Sequence, residues 1–206
     1  MFQDRNDAAR QLARAMQHWR GQHPLVLAIP RGAVPMGRVI ADALEGDFDV
    51  VLVRKLRAPH QPELAIGSVD ESGWRHLSSY AADTGADEAY LEAEVQRQLR
   101  TLRQRRDLYA PLRPPVDPAG RVVIVVDDGL ATGATMVAAL HSLRERHPAR
   151  LVCAVPVASA EALALVRPLA DEVVCLQVPH HFQAVGQFYR DFQQVEDEAV
   201  VALLRG

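Results

Sequence analysis

Apolar and polar residues recur along this chain in two patterns, which predict short buried strands separated by amphipathic helices. Continuous apolar runs are typical of strands buried on both faces. Apolar residues three or four positions apart, such as Ala8, Leu12 and Ala15, predict helices. The predicted strands are Leu25–Ile29, Asp49–Val53, Val122–Val126, Arg150–Val157 and Glu172–Val178. The predicted helices are Asp4–Trp19, Val34–Leu44, Asp87–Tyr109, Thr135–Arg146, Glu161–Leu169 and Glu196–Leu204.

This alternation predicts an α/β fold with a mainly parallel, doubly wound sheet. A hairpin over Leu64–Ser78, turning at Asp70–Gly73, interrupts the alternation. Ligands of such sheets bind beyond the carboxyl ends of the strands. We therefore expect a site among the loops that follow the strands, which are Pro30–Ala33, Arg54–Pro62, Asp127–Thr135 and Pro156–Ser159.

The composition is that of an ordinary globular protein, with 49% hydrophobic and 24% charged residues in 206. A net charge of −3 argues against broad attraction to nucleic acid or to a membrane surface. No apolar run is long enough to span a bilayer, and the polar N-terminus does not resemble a secretory signal. Cys153 and Cys175 lie in strand-like runs and are expected to be reduced core residues, without metal-ligand spacing. We expect a single cytoplasmic domain.

The run Val122–Met136 contains the most specific pattern. A valine-rich strand is followed by two adjacent acids, Asp127 and Asp128, and then by a turn rich in glycine and threonine that leads into a helix. Backbone N–H groups and a helix N-terminus attract phosphate, but the lysine of a Walker-type loop is absent. Two acids before such a turn suit a ligand that has both hydroxyls and a phosphate, such as a ribose 5-phosphate. A glycine-containing turn of no special function is the alternative.

The whole pattern resembles the signature of type I phosphoribosyltransferases, which bind 5-phosphoribosyl 1-pyrophosphate (PRPP). The resemblance implies that Asp127 and Asp128 hold the ribose hydroxyls and that one of them assists proton removal from the acceptor. It implies Mg²⁺ held mainly by substrate oxygens and water, with no protein metal site. The residues that would bind the 5-phosphate are Gly129, Leu130, Ala131, Thr132, Gly133, Ala134 and Thr135.

The resemblance also suggests a site for the pyrophosphate of the donor. In this family the loop after the first strand often has a basic residue, then glycine, with a strained peptide bond. Arg31 and Gly32 match that pattern, which implies a cis bond between Pro30 and Arg31. Lys55, in a cationic cluster after the second strand, would also contact pyrophosphate, and Glu63 is a weaker candidate for a loop or metal contact. An ordinary turn and a solvated charge cluster are the alternatives.

The aromatic segment Pro179–Phe192 is similar to the hood that purine-salvage members place over the base. Phe182, Val185 and Gly186 match its pattern and would bind the acceptor; a small core that anchors the tail is the alternative. Purine enzymes usually have a lysine after the strand that follows the signature helix, and Val155–Val166 has none. The chain is more similar overall to a group of bacterial phosphoribosyltransferase-like proteins, a resemblance that names no acceptor.

We therefore expect one phosphoribosyltransferase-like domain over residues 1–206, with a hood from residues 179–206 and the N-terminal segment as a second candidate contributor. A homodimer is expected. A PRPP-sensing or RNA-binding regulator with little turnover is the alternative function, and it is suggested only by the arginine-rich helix that ends at Tyr109. Solvated surface or a subunit contact is the simpler interpretation of those arginines, so nucleic acid is not an expected partner.

Overall fold

The structure of the protein, a computed structural model, describes residues 1–112 and 114–205. Five parallel strands form the central sheet in the order β2-β1-β6-β7-β8. The strands are β1 (Leu25–Ala28), β2 (Asp47–Val50), β6 (Val122–Val126), β7 (Arg150–Val157) and β8 (Glu172–Gln177). The order changes direction at β1 and β6, so the loops that follow these two strands open on the same crevice.

Six helices surround the strands: α1 (Arg5–Ala15), α2 (Val34–Leu44), α3 (Glu88–Tyr109), α4 (Ala134–Arg144), α5 (Ala160–Val166) and α6 (Asp197–Arg205). Neighbouring residues of β6 face two different hydrophobic cores. Ile124 and Val126 pack in the core that contains α1, α2 and α3, whereas Val123 and Val125 pack with α4 and α5. Both faces of the sheet are therefore covered, and the predicted doubly wound α/β fold is confirmed.

A smaller antiparallel sheet corrects one part of the sequence prediction. It consists of β3 (Val53–Ala58), β4 (Gln61–Asp70) and β5 (Arg75–Leu77) in chain order. The predicted strand Asp49–Val53 is wrong, because β2 ends at Val50 and Val53 begins β3. The apolar run shows no break there, since Val50–Val53 stays buried as the chain leaves one sheet for the other.

The expected loop Arg54–Pro62 is also wrong, because most of it is strand. Ala58 and Gln61 pair across a two-residue turn at Pro59 and His60, in which His60 has φ of 59°. The prolines correctly predicted a break in the strand, but the predicted loop was longer than the two-residue turn in the structure. The predicted hairpin turn is confirmed: the N–H of Gly73 donates to the carbonyl of Asp70 at 3.2 Å.

Side chains join the small sheet to its neighbours. The buried Glu94 of α3 accepts the backbone N–H of Arg57 at 3.2 Å, and the Ser68 hydroxyl donates to the Ala134 carbonyl at 2.6 Å. The second bond ties β4 to the first residue of α4. The small sheet is thereby held over the loop that follows β6.

The two ends of the chain pair with each other. The N–H of Phe2 donates to Phe188 at 2.8 Å, and the Arg190 and Asp191 N–H groups donate to Phe2 and Gln3, each at 2.9 Å. The rings of Phe2 and Tyr189 pack with their centroids 5.4 Å apart. Residues that follow β8 are thus anchored against the N-terminal segment beside the carboxyl ends of the central strands.

Helix ends differ from the predictions by a few residues. The first predicted helix ends at Ala15 and is followed by a 3₁₀ turn over Gln17–Trp19. The predicted Glu161–Leu169 divides into α5 and a 3₁₀ turn over Arg167–Leu169. Within residues 1–112 and 114–205, no helix has the length and apolar character needed to cross a membrane.

Candidate functional site

A cavity of about 430 Å³ lies at the carboxyl ends of β1 and β6. Its volume is in the range of small-molecule sites. The lining residues come from the loops after these strands, from the small sheet and from the tail: Ile29, Pro30, Gly32, Lys55, Glu63, Leu64, Ala65, Tyr80, Asp127, Asp128, Gly129, Leu130, Ala131, Thr132, Gly133, Thr135 and Val185. Three of the four loops and strand ends that the sequence indicated therefore meet here.

The loop after β6 presents backbone donors to this cavity. Gly133 has φ of +78° and precedes the first turn of α4, whose positive dipole end faces the loop. Among the hydrogen bonds between described residues, none uses the N–H groups of Ala131, Thr132 or Gly133. Free N–H groups beside a helix N-terminus form a binding site for an anion.

The two acids stand at the entrance to this loop in different surroundings. Asp127 accepts the backbone N–H of Asp128 at 2.9 Å and is hydrogen bonded by the Thr135 side chain. Asp128 accepts two hydrogen bonds from Arg5, at 2.9 and 3.0 Å, and the Tyr189 hydroxyl donates to its carbonyl at 2.6 Å. Among the described residues, Asp128 is therefore paired with a cation and Asp127 is not.

These surroundings raise the pKa of both carboxyls above the ordinary value. For Asp127, burial and the neighbouring charge of Asp128 raise the pKa well above 3.8. Burial also raises the pKa of Asp128, while Arg5 and Lys55 oppose that effect. Asp127 is the carboxyl that has the stronger tendency to hold a proton. Carboxyls with raised pKa values in a cavity are suited to proton transfer near neutral pH.

The loop after β1 brings a glycine against the acids. A Cβ atom at Gly32 would lie 2.2 Å from a carboxylate oxygen of Asp128, so this position admits only glycine in the present geometry. The Pro30–Arg31 peptide bond is cis, as the family resemblance predicts. Pro30 and Gly32 line the cavity.

Arg31, which lies between Pro30 and Gly32 in the sequence, does not line the cavity with them. Its guanidinium lies 3.7 Å from Glu196 and 3.6 Å from Asp197, at the start of α6, and Arg31 is not a lining residue of the cavity. The expectation that this side chain contacts pyrophosphate therefore has no support in the geometry. The sequence pattern identified the loop but not the direction of the arginine.

Of the cationic cluster on β3, only Lys55 reaches the cavity. Successive side chains of a strand point to opposite faces, so Arg54 turns away and donates to Gln98 at 3.0 Å. Arg57 donates to the carbonyl of Pro62 at 2.9 Å. Glu63 lines the cavity as well. Lys55 is thus the residue of the three that lines the cavity, whereas Arg54 bonds to α3 and Arg57 bonds within the small sheet.

The three acceptor candidates lie in different places. Val185 lines the cavity and fills the space that a side chain at Gly129 would need, 2.6 Å from the missing Cβ. Phe182 lines a second cavity of about 820 Å³, which adjoins the first along a shared wall of Ala65, Tyr80, Ala131 and Thr132. Gly186 lines neither and packs under Phe192.

Three side chains at the site were missed from the sequence. Arg5 and Tyr189 bond to Asp128, and Tyr80 lines both cavities. Tyr189 belongs to the aromatic segment Pro179–Phe192, so the sequence pattern did indicate the region in which it lies. Arg5 belongs to the polar helix α1 and lies 123 residues before Asp128 in the sequence. No local sequence feature distinguishes it from the other arginines of that helix.

No group of three or more His, Cys, Asp or Glu side chains is placed to hold a metal ion in the part of the chain that the structure describes. Asp127 and Asp128 line the cavity, and their negative charge favours a cation nearby. The donor set is compatible with a Mg²⁺ ion that takes most of its ligands from a bound substrate and water.

Comparison with known proteins agrees with this architecture. The profile of the phosphoribosyl transferase domain matches residues 1–193. The chain belongs to the phosphoribosyltransferase family. A relative from Mycobacterium tuberculosis H37Rv, named "Putative phosphoribosyl transferase Rv0571c", is 42% identical over 205 residues. That alignment covers 99% of this chain and 46% of the relative, so the chain spans about half the length of the curated relatives it matches.

Two solved structures extend the comparison of this family member. The protein TT1426 from Thermus thermophilus is 47% identical, with a TM-score of 0.82 over 99% of this chain and 97% of that one. A hypothetical protein from Neisseria gonorrhoeae, solved with bound ppGpp, is 14% identical, with a TM-score of 0.52 over 87% of this chain and 85% of that one. The second likeness shows a shared fold only.

Proposed function

We propose that the protein is a phosphoribosyltransferase that uses PRPP and Mg²⁺ to transfer the phosphoribosyl group to a nitrogenous acceptor and releases pyrophosphate. One observation supports this proposal above the others. A phosphate-binding loop, two acids, a close-approach glycine and a lysine line a single cavity at the carboxyl edge of the parallel sheet. Each of these groups matches a different part of the donor.

The roles follow from charge and position. The N–H groups of residues 131–133 and the start of α4 would bind the 5-phosphate. Asp127 and Asp128 would accept hydrogen bonds from the ribose hydroxyls. Gly32 and Lys55 are assigned to the pyrophosphate, because Lys55 is the cation that faces the cavity from β3 and Gly32 exposes its backbone there. Arg31 is left out of this assignment because it pairs with α6.

In the transfer, the bond from ribose C1 to the pyrophosphate oxygen breaks, and a bond from C1 to the acceptor nitrogen forms with inversion. The electron pair of the broken bond leaves with pyrophosphate, whose charge Lys55 stabilises. The acceptor nitrogen loses a proton. Asp127 would take this proton, since the raised pKa of its carboxyl favours the protonated form. Catalysis depends on positioning and charge stabilisation without a covalent enzyme intermediate.

A bound Mg²⁺ ion would take its ligands mainly from oxygens of the substrate and from water. The ion would supply neutralisation of donor phosphate charge. Asp127 and Asp128 would contribute negative charge beside the ion, whereas Lys55 would contact the pyrophosphate and not the metal.

We further propose that the acceptor binds at the boundary of the two cavities, between Val185 and Phe182. The second cavity is lined by His76, Glu161, Leu165 and further residues of the small sheet, and no Lys or Arg occurs among its described lining residues. Burial lowers the pKa of His76 and favours its neutral form. A neutral or cationic acceptor fits this lining better than a carboxylate, which would have no cationic partner.

The test is Mg²⁺-dependent release of pyrophosphate from PRPP across purine, pyrimidine and amine acceptors. We expect the double variant Asp127→Asn with Asp128→Asn to lose donor binding, whereas Asp107→Asn, on the exposed face of α3, serves as the matched control. Intact donor binding in the double variant would contradict the site assignment. Donor binding without turnover for any acceptor would instead favour the PRPP-sensing regulator.

A further inference from the structure

Arg5 makes a set of contacts that the proposed chemistry does not use. Its Nε and Nη2 atoms donate to the same oxygen of Asp128, at 3.0 and 2.9 Å. Its Nη1 atom donates to the carbonyl of Gln193 at 2.6 Å, and the guanidinium lies 3.9 Å from the centroid of the Phe192 ring. One side chain of α1 thus joins a donor-site acid to the tail of the chain.

The pair is enclosed on several sides. The Arg5 side chain is 13% exposed and that of Asp128 is 16% exposed. Gly32 leaves just enough space for the Asp128 carboxylate, and the Tyr189 hydroxyl fixes the backbone of the same residue. Asp128 therefore has little freedom to turn, and the oxygen that Arg5 does not bond is the one left for a ligand.

An enclosed ion pair of this kind is weak evidence for a role in stability, because desolvation offsets much of the attraction between the charges. The position of this ion pair, next to a second acid in the cavity, instead suggests an effect on the ionisation of the acids. Asp127 is the next residue, and two acids in one cavity oppose each other's ionisation. The charged or polar groups that face Asp128 are Arg5 from α1, Asp127 and Lys55 at the cavity, and the Tyr189 hydroxyl from the tail.

We propose that Arg5 is a positioning residue of the donor site, which holds the Asp128 carboxylate in place for a ribose hydroxyl and makes both ends of the chain part of that site. This inference rests on the proposed function. It separates the roles of the two acids: Asp128 is fixed by Arg5 and orients the ribose, whereas Asp127 exchanges the proton. Asp127 is bonded to no cationic side chain within residues 1–112 and 114–205.

The pKa of Asp128 provides a readout that a purely structural role of Arg5 would not change. Arg5 lowers this pKa against the effect of burial. Without Arg5, Asp128 takes up a proton at higher pH, and a protonated carboxyl is a poorer acceptor for a hydroxyl. Loss of Arg5 should therefore move the acidic limit of donor binding to higher pH.

The experiment measures PRPP binding with Mg²⁺ by calorimetry from pH 5 to pH 9, in wild type, Arg5→Ala, Arg5→Lys and Arg14→Ala. Arg14 is an exposed arginine of the same helix and is the matched control. We expect Arg5→Ala to weaken binding at neutral pH by about tenfold or more, the cost of one charge-assisted hydrogen bond. Arg5→Lys should keep the acidic limit of wild type with part of the affinity, because lysine retains the charge but not the fork of donors.

The outcomes are distinguishable. If wild type binds PRPP and Arg5→Ala binds it equally well with the same acidic limit, the role of Arg5 is refuted and the proposed function stands. If wild type does not bind PRPP, the proposed function fails and the role of Arg5 in a donor site fails with it. Thermal unfolding identifies a variant that does not fold; if Arg5→Ala is one, Arg5→Lys decides, and wild-type affinity in that variant would contradict a need for the bidentate contact.

Discussion

Replacing Gly32 by alanine tests the geometry at the centre of the site. The added Cβ would lie 2.2 Å from the Asp128 carboxylate oxygen that Arg5 bonds, and 3.3 Å from Arg5 itself. The φ of Gly32 is not in the left-handed region, so alanine meets no backbone strain there. The carboxylate must therefore turn away, and Arg5 cannot follow freely because Gln193 and Phe192 hold it.

The size of the effect follows from the bonds that are lost. Two charge-assisted hydrogen bonds join the pair, each worth about 1.5–3 kcal/mol. Since both side chains retain some contact with water, we expect the free energy of unfolding to fall by about 2–4 kcal/mol in total. For a chain of this size that corresponds to a decrease of about 4–16 °C in Tm.

Calorimetric unfolding measures this loss, and a double-mutant cycle assigns its cause. In an Asp128→Ala background the atoms that the new Cβ meets on Asp128 are gone, so Gly32→Ala should then change the unfolding free energy by less than about 0.5 kcal/mol. The same large cost in both backgrounds would refute the reasoning, because the clash would then lie elsewhere. An unchanged Tm in the single variant would refute the geometry itself.

Three further predictions concern the same cavities. The raised pKa of Asp127 in the folded state means that ionisation of this carboxyl lowers the stability of the fold at pH values above its ordinary pKa of 3.8. Asp127→Asn should therefore raise Tm at pH 8, and this gain should disappear in acid. A series of thermal unfolding measurements at different pH values tests both expectations. Gly129→Ala should cost about 1–3 kcal/mol by overpacking against Val185, and adding Val185→Ala should recover most of it in denaturant unfolding. Phe182→Ala should raise the KM of the acceptor severalfold and leave donor affinity unchanged, since Phe182 lines only the second cavity; an equal loss of donor affinity would contradict this division.

The sequence predicted the central sheet and the loop that follows β6 because both are local features. The apolar runs that became β6 and β7 keep their predicted bounds, and the acids and glycines follow β6 directly along the chain. The small sheet was predicted less well. Its first strand continues the apolar run of β2, and periodicity does not distinguish one long strand from two short strands in different sheets.

Side-chain direction set a second limit. The pattern around Arg31 identified a loop that reaches the cavity, yet the guanidinium turns to acids of α6 that lie 165 and 166 residues later in the sequence. Lys55 and Arg54 are adjacent and chemically similar, and only their places on opposite faces of β3 separate a site residue from a residue that bonds α3. Residue type indicated charge, whereas the strand and its partners determined where that charge lies.

The pairing of Arg5 with Asp128 shows why the two acids cannot be interpreted from the signature alone. Adjacent in sequence, they look interchangeable, and the signature assigns both to the ribose. In the fold, one acid is bonded by a cation of the first helix, and the other is bonded by a backbone N–H and a threonine side chain. Burial raises the pKa of both, but only Asp128 has a bonded cation that opposes this effect. The difference between their surroundings is therefore a property of the tertiary structure, because it depends on where the first helix and the tail meet the end of β6.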